Sequence, residues 1–231
     1  MIRKILKSLE HVPPSIIRKK LKGVLWEGTP ESGVIALTFD DGPDPEITPL
    51  ALDTLDEIGA RGTFFMVGEQ VKEYPSIARL VYERGHILGN HSMTHRSMVL
   101  MSRNEIDQEI DSTQKALLDA TGTEPEWFRP PYGVFGFTTV DAVRRRGLSM
   151  ALWTVLSGDY SDDAPESVLQ TVKPFIRPGA IIVFHDTVSG GGKELPGILR
   201  RISALVGDRD IGFGGIDQLS RHGELDVECS D

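Results

Sequence analysis

The sequence alternates short apolar runs with longer segments whose apolar residues recur at helical spacing, and this alternation limits the folds open to the chain. Residues 34–39 form an apolar run that is too short for a helix and is typical of a buried strand. Residues 45–58 repeat Ile and Leu at helical spacing and stop at Gly59. The same criteria predict strands over 63–67, 87–88, 127–128, 150–154, 180–184 and 211–213, and helices over 70–84, 103–120, 137–146, 165–176 and 195–206.

Strands that alternate with helices in this way form a parallel sheet with the helices packed outside it. The pattern gives seven β/α units without a linker, an internal repeat or a low-complexity stretch. We therefore expect an α/β fold with one domain over residues 33–231. Periodicity fits both a closed (β/α)7 barrel and an open doubly wound sheet, and we favour the barrel.

Residues 1–32 differ from the rest in charge and form a basic N-terminal segment. Residues 1–22 carry seven basic side chains and one acid, Glu10. A secretory signal needs an uninterrupted apolar run after its basic start, and Glu10 and the Pro13-Pro14 pair break any such run. We therefore predict no cleavable signal and a cytoplasmic or peripherally held protein. The segment is either a solvated or docked helix or a weak contact with an anionic membrane surface.

The overall composition excludes several classes of protein. The formal net charge of −9 argues against a surface built to bind nucleic acid. No stretch approaches the run of about 20 apolar residues that spans a bilayer. The single cysteine, Cys229, allows no intramolecular disulfide. Nothing in the sequence indicates the oligomeric state.

Polar residues of catalytic type gather where the predicted strands end. Five groups follow five different strands: residues 38–43 (TFDDGP), residues 91–95 (HSMTH), residues 129–132 (RPPY), Asp159, and the pair His185-Asp186. The carboxyl ends of the strands are where active sites of β/α barrels assemble. The sequence therefore predicts one active site built from all five groups.

The histidines at 91 and 95 have the spacing of a metal-binding pair. On a helical turn, residues four apart project from one face, so both imidazoles could share one ion. Two surface histidines near a helix start are the plainer interpretation. A carboxylate from the Asp40-Asp41 pair would add a third ligand, and two histidines, one carboxylate and an open position describe a catalytic zinc site.

Asp40 and Asp41 are expected to do different work, because adjacent carboxylates point in different directions. One can bind the metal while the other stays free as a base. A loop-capping aspartate in an Asp-Gly-Pro turn would account for one of them but not for both.

His185 and Arg129 each allow two interpretations. His185 stands at the exit of a buried strand, which suits a general acid better than a core histidine. Arg129 precedes two prolines on a rigid loop. It could hold a carboxylate bidentately or form an ordinary surface salt bridge.

Together these motifs resemble the polysaccharide deacetylase family, the carbohydrate esterases whose catalytic region is called the NodB homology domain. The resemblance covers roughly residues 33–215. It rests on residues 38–43 as the first motif, His91 and His95 as the second, and residues 129–132 as the third. The intervening stretches 60–65 (ARGTFF) and 85–90 (GHILGN) match as well.

The resemblance implies an irregular (β/α)7 barrel and a role for each matching residue. Asp40 would be the general base, and Arg129 would orient it. The metal ligands would be Asp41, His91 and His95. The general acid would be His185, Val183 would line the acetyl methyl pocket, and the backbone N–H of Tyr132 would stabilise the oxyanion.

One position departs from the family. Where the family carries an aspartate that supports the catalytic histidine, this chain has Leu156. Asp159 or Asp186 could supply that support instead. Tyr160 replaces the family's tryptophan and keeps an aromatic wall suited to stacking on a sugar ring.

The predicted reaction is hydrolysis of an N-acetyl, or alternatively an O-acetyl, group on a carbohydrate, with Zn²⁺ or another divalent transition metal as cofactor. Two alternatives stay open. One is a deacylase or amidohydrolase acting on a small non-sugar amide. The other is a carbohydrate-binding barrel with impaired catalysis, which the leucine at position 156 motivates.

Overall fold

The computed structural model describes residues 23–160, 165–207 and 209–219, and within these ranges the strands form one sheet in which every pairing is parallel. In chain order the strands are β1 Val24–Leu25, β2 Val34–Asp40, β3 Thr63–Met66, β4 Ile87–Asn90, β5 Trp127–Phe128, β6 Ser149–Ala151, β7 Val155–Leu156, β8 Ile181–His185 and β9 Gly212–Gly214. The α-helices are α1 Ile47–Glu57, α2 Gly68–Glu73, α3 Pro75–Glu83, α4 Arg103–Thr121, α5 Phe137–Arg145, α6 Pro165–Val172 and α7 Leu195–Val206.

The strand β2 is the centre of the sheet. The order is β1-β6-β5-β4-β3-β2-β8-β7, and β9 pairs with the first residues of β2. Ile35, Leu37 and Phe39 pack in a cluster with apolar residues of α1, α3, α6 and α7. The intervening Ala36 packs in a second cluster, with side chains of β3 and β8. Both faces of β2 are therefore buried, as is usual for a parallel sheet covered by helices.

The two ends of the sheet approach each other and close it into an irregular barrel. The N–H of Gly28, just after β1, donates to the carbonyl of Gly179, just before β8, at 2.8 Å. The Thr154 hydroxyl donates to the carbonyl of Trp26 at 3.3 Å. Among the described residues, single hydrogen bonds thus join these two ends of the sheet in place of a strand ladder. The prediction of one irregular barrel is confirmed.

The predicted strand over residues 150–154 is divided into β6 and β7. The N–H of Leu152 donates to Leu25 in β1, whereas the N–H of Thr154 donates to Ile181 in β8. The chain changes partners between these two residues, so no continuous ladder can form. An apolar run gives no sign of such a switch, which is why the sequence predicts one strand here.

Two other elements differ from the prediction. The helix expected over 70–84 is broken at Tyr74 into α2 and α3, because Pro75 disfavours a helical conformation in the residue before it. The strand β1 was not predicted, and it pairs with β6. Residues 23–32 of the predicted N-terminal segment therefore pack with the barrel, whereas residues 1–22 lie outside the described ranges.

Candidate active site

The five polar groups that follow the strands do converge at one end of the barrel. Members of four of the groups line a pocket of about 340 Å³, and the remaining group, Asp159, contacts the pocket residue His185. Its walls are formed by Asp40, Asp41, His91, His95, Tyr132, Trp153, Leu156, Tyr160, His185, Ser189 and Gly190. The site thus draws on the ends of five strands, β2, β4, β5, β7 and β8, as expected for a β/α barrel.

Asp41, His91 and His95 bring three ligand atoms together. Each offers one atom, and all three atoms lie within 4.8 Å of one another. Asp41 Oδ1 is 3.5 Å from His91 Nε2 and 3.1 Å from His95 Nε2. Ligands about 2.1 Å from a tetrahedral zinc ion stand about 3.4 Å apart, so the spacing suits such an ion.

The hydrogen bonding of His91 also fits a metal ligand. Its Nδ1 lies 2.8 Å from the carbonyl oxygen of Arg129, so Nδ1 carries the proton and Nε2 keeps a free lone pair. Asp41 Oδ1 is buried and accepts no hydrogen bond among the described residues. An acceptor left bare beside free imidazole nitrogens is what a cation would satisfy, so the three residues fit a divalent metal.

The loop that carries the two histidines is not the helical turn that the sequence suggested. Ser92 and His95 have left-handed φ values of 65° and 53°, and no helix covers residues 91–95. Glu109 of α4 holds the loop instead. Its buried carboxylate accepts the N–H groups of Met93 and Thr94, both at 2.9 Å, and the Thr94 hydroxyl at 2.7 Å. Sequence reasoning missed this support, because an acid in the middle of a polar helix has no local signature.

Four residues at the site share a left-handed backbone conformation that side chains other than glycine rarely adopt. They are Asp41, Ser92, His95 and Tyr132. Within the described ranges these are the residues other than glycine with positive φ. Such conformations persist only where the surroundings enforce them, and they cluster at functional sites.

Arg129 is fully buried and forms an ion pair with Asp40. Its Nη1 donates to Asp40 Oδ1 at 2.6 Å and to the Thr38 hydroxyl at 2.9 Å. Its Nε and Nη2 donate to the carbonyls of Ala151 and Leu152, at 3.3 and 2.9 Å. The predicted bidentate grip on a carboxylate is therefore wrong, because the break between β6 and β7 provides carbonyls that take the other donors. The surface salt bridge is also excluded, since Arg129 is 0% exposed.

Replacing Arg129 by methionine is expected to lower the free energy of unfolding by about 3–5 kcal/mol. The variant leaves the Asp40 carboxylate buried without its counter-ion, and breaking a buried pair from one side carries a cost of that size. Urea denaturation followed by circular dichroism measures the loss. Arg145→Met, which removes an exposed ion pair on α5, is the control and should cost no more than about 1 kcal/mol. Equal losses in the two variants would contradict a special contribution of the buried pair.

His185 is held by Asp159, one of the two acids considered for that task. Asp159 Oδ1 lies 2.8 Å from His185 Nδ1, and Oδ2 accepts the His185 main-chain N–H at 2.7 Å. Burial alone would lower the pKa of His185, but the hydrogen bond and charge of Asp159, with smaller contributions from Asp40 and Asp41, raise it to about 9. Asp159 therefore provides a carboxylate contact to His185 that Leu156 cannot make.

Asp186, the other candidate, faces a different partner. Its Oδ2 accepts the Thr48 hydroxyl of α1 at 2.5 Å. Burial raises the pKa of Asp186 to about 7, although the bond from Thr48 opposes the rise. The carboxyl lies over the turn at Gly42, where a Cβ atom would stand only 2.5 Å from it. Asp186 therefore binds the start of α1, whereas Asp159 binds His185.

The remaining predicted residues lie at different depths. Tyr132 is exposed at the rim, with its ring 4.7 Å from that of His95. Tyr160 is also exposed and meets the His185 ring edge-on at 5.5 Å. Val183 is fully buried, and its neighbour across the sheet, Leu156, forms the pocket wall instead.

Two further features of the site were not predicted. Trp153, which lies between β6 and β7, lines the pocket. Gly190 packs so closely on His185 that a Cβ atom at this position would stand 2.3 Å from the histidine Cβ.

Among the helices that the structure describes, none has both the length and the apolar character that a membrane span requires.

Comparison with known proteins agrees with this site. The family model for polysaccharide deacetylase matches residues 27–151. A chitooligosaccharide deacetylase of Azorhizobium caulinodans is 36% identical over 159 residues, which cover 68% of this chain and 76% of that protein. A solved peptidoglycan N-acetylglucosamine deacetylase superimposes with a TM-score of 0.82 at 26% identity, covering 90% of this chain and 96% of the other.

A third likeness is to a solved family 4 carbohydrate esterase described as a pseudoenzyme, from Bacillus anthracis. Its TM-score is 0.78 at 29% identity, covering 90% of this chain and 71% of the other. Fold and site together define a metal-dependent hydrolase of the carbohydrate esterase type. The chain belongs to the polysaccharide deacetylase family.

Proposed function

We propose that this protein removes the acetyl group from N-acetylglucosamine residues of an oligosaccharide, with zinc held by Asp41, His91 and His95. The observation that carries the proposal is the placement of a carboxylate and a histidine, Asp40 and His185, in one pocket with this ligand group. N-Acetylglucosamine is favoured because the relatives include a chitooligosaccharide deacetylase and a peptidoglycan N-acetylglucosamine deacetylase.

Asp40 is proposed as the general base. Arg129 occupies its Oδ1, so Oδ2, which lies 3.9 Å from His91 Nε2, is the oxygen that can accept a proton. Zinc held by Asp41, His91 and His95 would supply Lewis acidity toward the acetyl carbonyl and the attacking water. Asp40 takes the proton of the attacking water as the new bond to the carbonyl carbon forms.

His185 is proposed as the general acid. Asp159 binds its Nδ1, so Nε2 is the nitrogen left to donate. Its raised pKa keeps the ring protonated at neutral pH, which the role of an acid requires. Donation to the sugar nitrogen accompanies cleavage of the carbon–nitrogen bond, and the products are acetate and a free amine. The backbone N–H of Tyr132 would stabilise the oxyanion, and Tyr160 would stack on the sugar.

The likeness to a pseudoenzyme favours one alternative, a barrel that binds carbohydrate without hydrolysing it. The departure at Leu156 points the same way. Against it, the proposed base, ligands and acid are all present, and Asp159 supports His185 at hydrogen-bond distance. We therefore propose an active enzyme.

Acetate release from N-acetylglucosamine oligomers tests the proposal. The full chain loaded with zinc should release acetate. Acetate release should stop after treatment with a chelator and should return when zinc is restored. Acetylated xylan is the comparison substrate. Faster release from xylan would indicate an O-acetyl substrate, and no release from either by the zinc-loaded protein would support the binding barrel.

The Asp159→Asn variant should move the alkaline limb of the pH profile of kcat/KM to lower pH. The Asp159 carboxylate favours the protonated imidazole, so its removal lowers the pKa of His185 from about 9. The general acid then loses its proton at a lower pH, by about one to three pH units. The control is Asp119→Asn on the exposed face of α4, which changes the net charge equally. An unmoved limb in a folded Asp159→Asn protein would contradict the assignment of His185.

We further propose one catalytic domain that includes β1, in place of a boundary at residue 33.

For residues 1–22 we keep the proposal of a weak contact with an anionic membrane surface in a cytoplasmic or peripherally bound protein. Cell fractionation tests it, and full-length chain found only in the secreted medium would overturn it.

A further inference from the structure

A second groove, of about 470 Å³, lies beside the proposed active site and is lined by apolar side chains. We call it the apolar groove. Its walls include Trp26, Val99, Val134, Phe137, Leu152 and Trp153. The first turn of α5 forms one rim, where residue Phe137 is 86% exposed. Val99 and Val134, which are 52% and 42% exposed, line the same groove. A contiguous patch of exposed apolar side chains marks an interaction site.

The apolar groove and the active-site pocket share a wall. Trp153 lines both of them. Tyr132 lines the pocket, and the next residue, Gly133, lines the groove. A Cβ atom on Gly133 would stand 2.3 Å from the indole ring of Trp153, so backbone and ring are in direct contact. A molecule in the groove would therefore be separated from a sugar in the pocket by the Trp153 side chain.

The chemistry of the groove distinguishes hydrocarbon from sugar. None of its lining residues carries a charged, hydroxyl or amide side chain, and the indole N–H groups of Trp26 and Trp153 are buried. A sugar needs polar partners for its hydroxyls, whereas a hydrocarbon chain needs none. A groove on another side of the pocket, which shares Asp41 and His95 with it, is lined by Asp44, Glu69 and Gln70 and suits a saccharide.

We infer that the substrate is amphipathic: the apolar groove binds a hydrocarbon chain attached to the acetylated sugar, while further sugars extend through the polar groove. The continuity of the groove with the pocket favours this occupant over an unrelated one. The inference rests on the proposed function, because it assumes that an acetylated sugar occupies the pocket.

The experiment compares two glycosides of N-acetylglucosamine oligomers that differ only in the aglycone, octyl or methyl, both below micellar concentration. Zinc-loaded wild-type protein should show kcat/KM at least about tenfold higher for the octyl glycoside, an increase that burial of about two methylenes supplies. The double variant Val134→Ser, Phe137→Ser should bring the ratio to about one. Both side chains are substantially exposed, so the variant is expected to fold. Leu50→Ser, a partly exposed residue of α1, is the control and should keep the wild-type ratio.

Binding of octyl β-glucoside, which carries no acetyl group, separates this inference from the proposed function. Calorimetry should show that octyl glucoside binds the wild type at least about tenfold more tightly than methyl glucoside does, and that the double variant loses the difference. If no acetate is released while this difference in binding is observed, the proposed function is wrong, but the assignment of the apolar groove to a hydrocarbon chain is supported. Equal binding of the two glucosides overturns the inference. So does a finding that the double variant instead abolishes self-association or sedimentation with phospholipid vesicles.

Discussion

Replacing His91 by alanine is expected to remove metal binding and to lower the rate of acetate release by at least about a thousandfold. Two ligands remain, Asp41 and His95, and they cannot complete a stable zinc site. A metal contributes several kcal/mol to a hydrolysis of this kind, and about 4 kcal/mol corresponds to a factor of a thousand. Elemental analysis of the folded variant measures the zinc content, and acetate release measures the activity.

The matched control for this loss is His185→Ala, which removes the one histidine of the pocket that is not a proposed metal ligand. It should keep the full metal content while its activity falls by about a hundredfold or more, because a general acid is lost and no ligand is. Full zinc occupancy in His91→Ala would reject the ligand assignment, whatever the activity.

The Asp40→Asn variant should retain its zinc and lose about two to four orders of magnitude in kcat. The amide cannot take a proton from water, while the ligands at 41, 91 and 95 are unchanged. Stability should fall as well, because the Arg129 cation loses the carboxylate that compensates it in the interior. Circular dichroism and zinc content must therefore accompany the rate measurement. Turnover near that of the wild type would mean that the two aspartates have exchanged roles.

The composition of the site could be predicted from the sequence better than its geometry. The polar groups after the strands were predicted to meet, and they do, because parallel strands end on one side of a barrel. The helical turn assumed for residues 91–95 was wrong. Spacing reports how far apart two residues are along the chain, but the loop conformation depends on Glu109, which is distant in sequence.

The contacts that support Asp40 and His185 could not be predicted either, because they too depend on residues that are distant in sequence. Arg129 divides its donors between Asp40 and two carbonyls that are free only because the chain changes partners after β6. Of the two acids weighed for His185, only the folded structure distinguishes Asp159 from Asp186, since one turns to the imidazole and the other to Thr48.

Residues 24–25 pair with residues 150–151, and residues 36–40 pair with residues 181–185. A ribosome has therefore made most of the chain before the central strand finds its second neighbour. Until then, one edge of β2 has unpaired backbone N–H and C=O groups, and Ile35 and Leu37 lack the β8 side chains of their apolar cluster. Closure of such distant pairs is entropically costly, which slows folding and leaves the nascent chain open to aggregation. The barrel can therefore close only after residues 181–185 have been synthesised and have paired with β2.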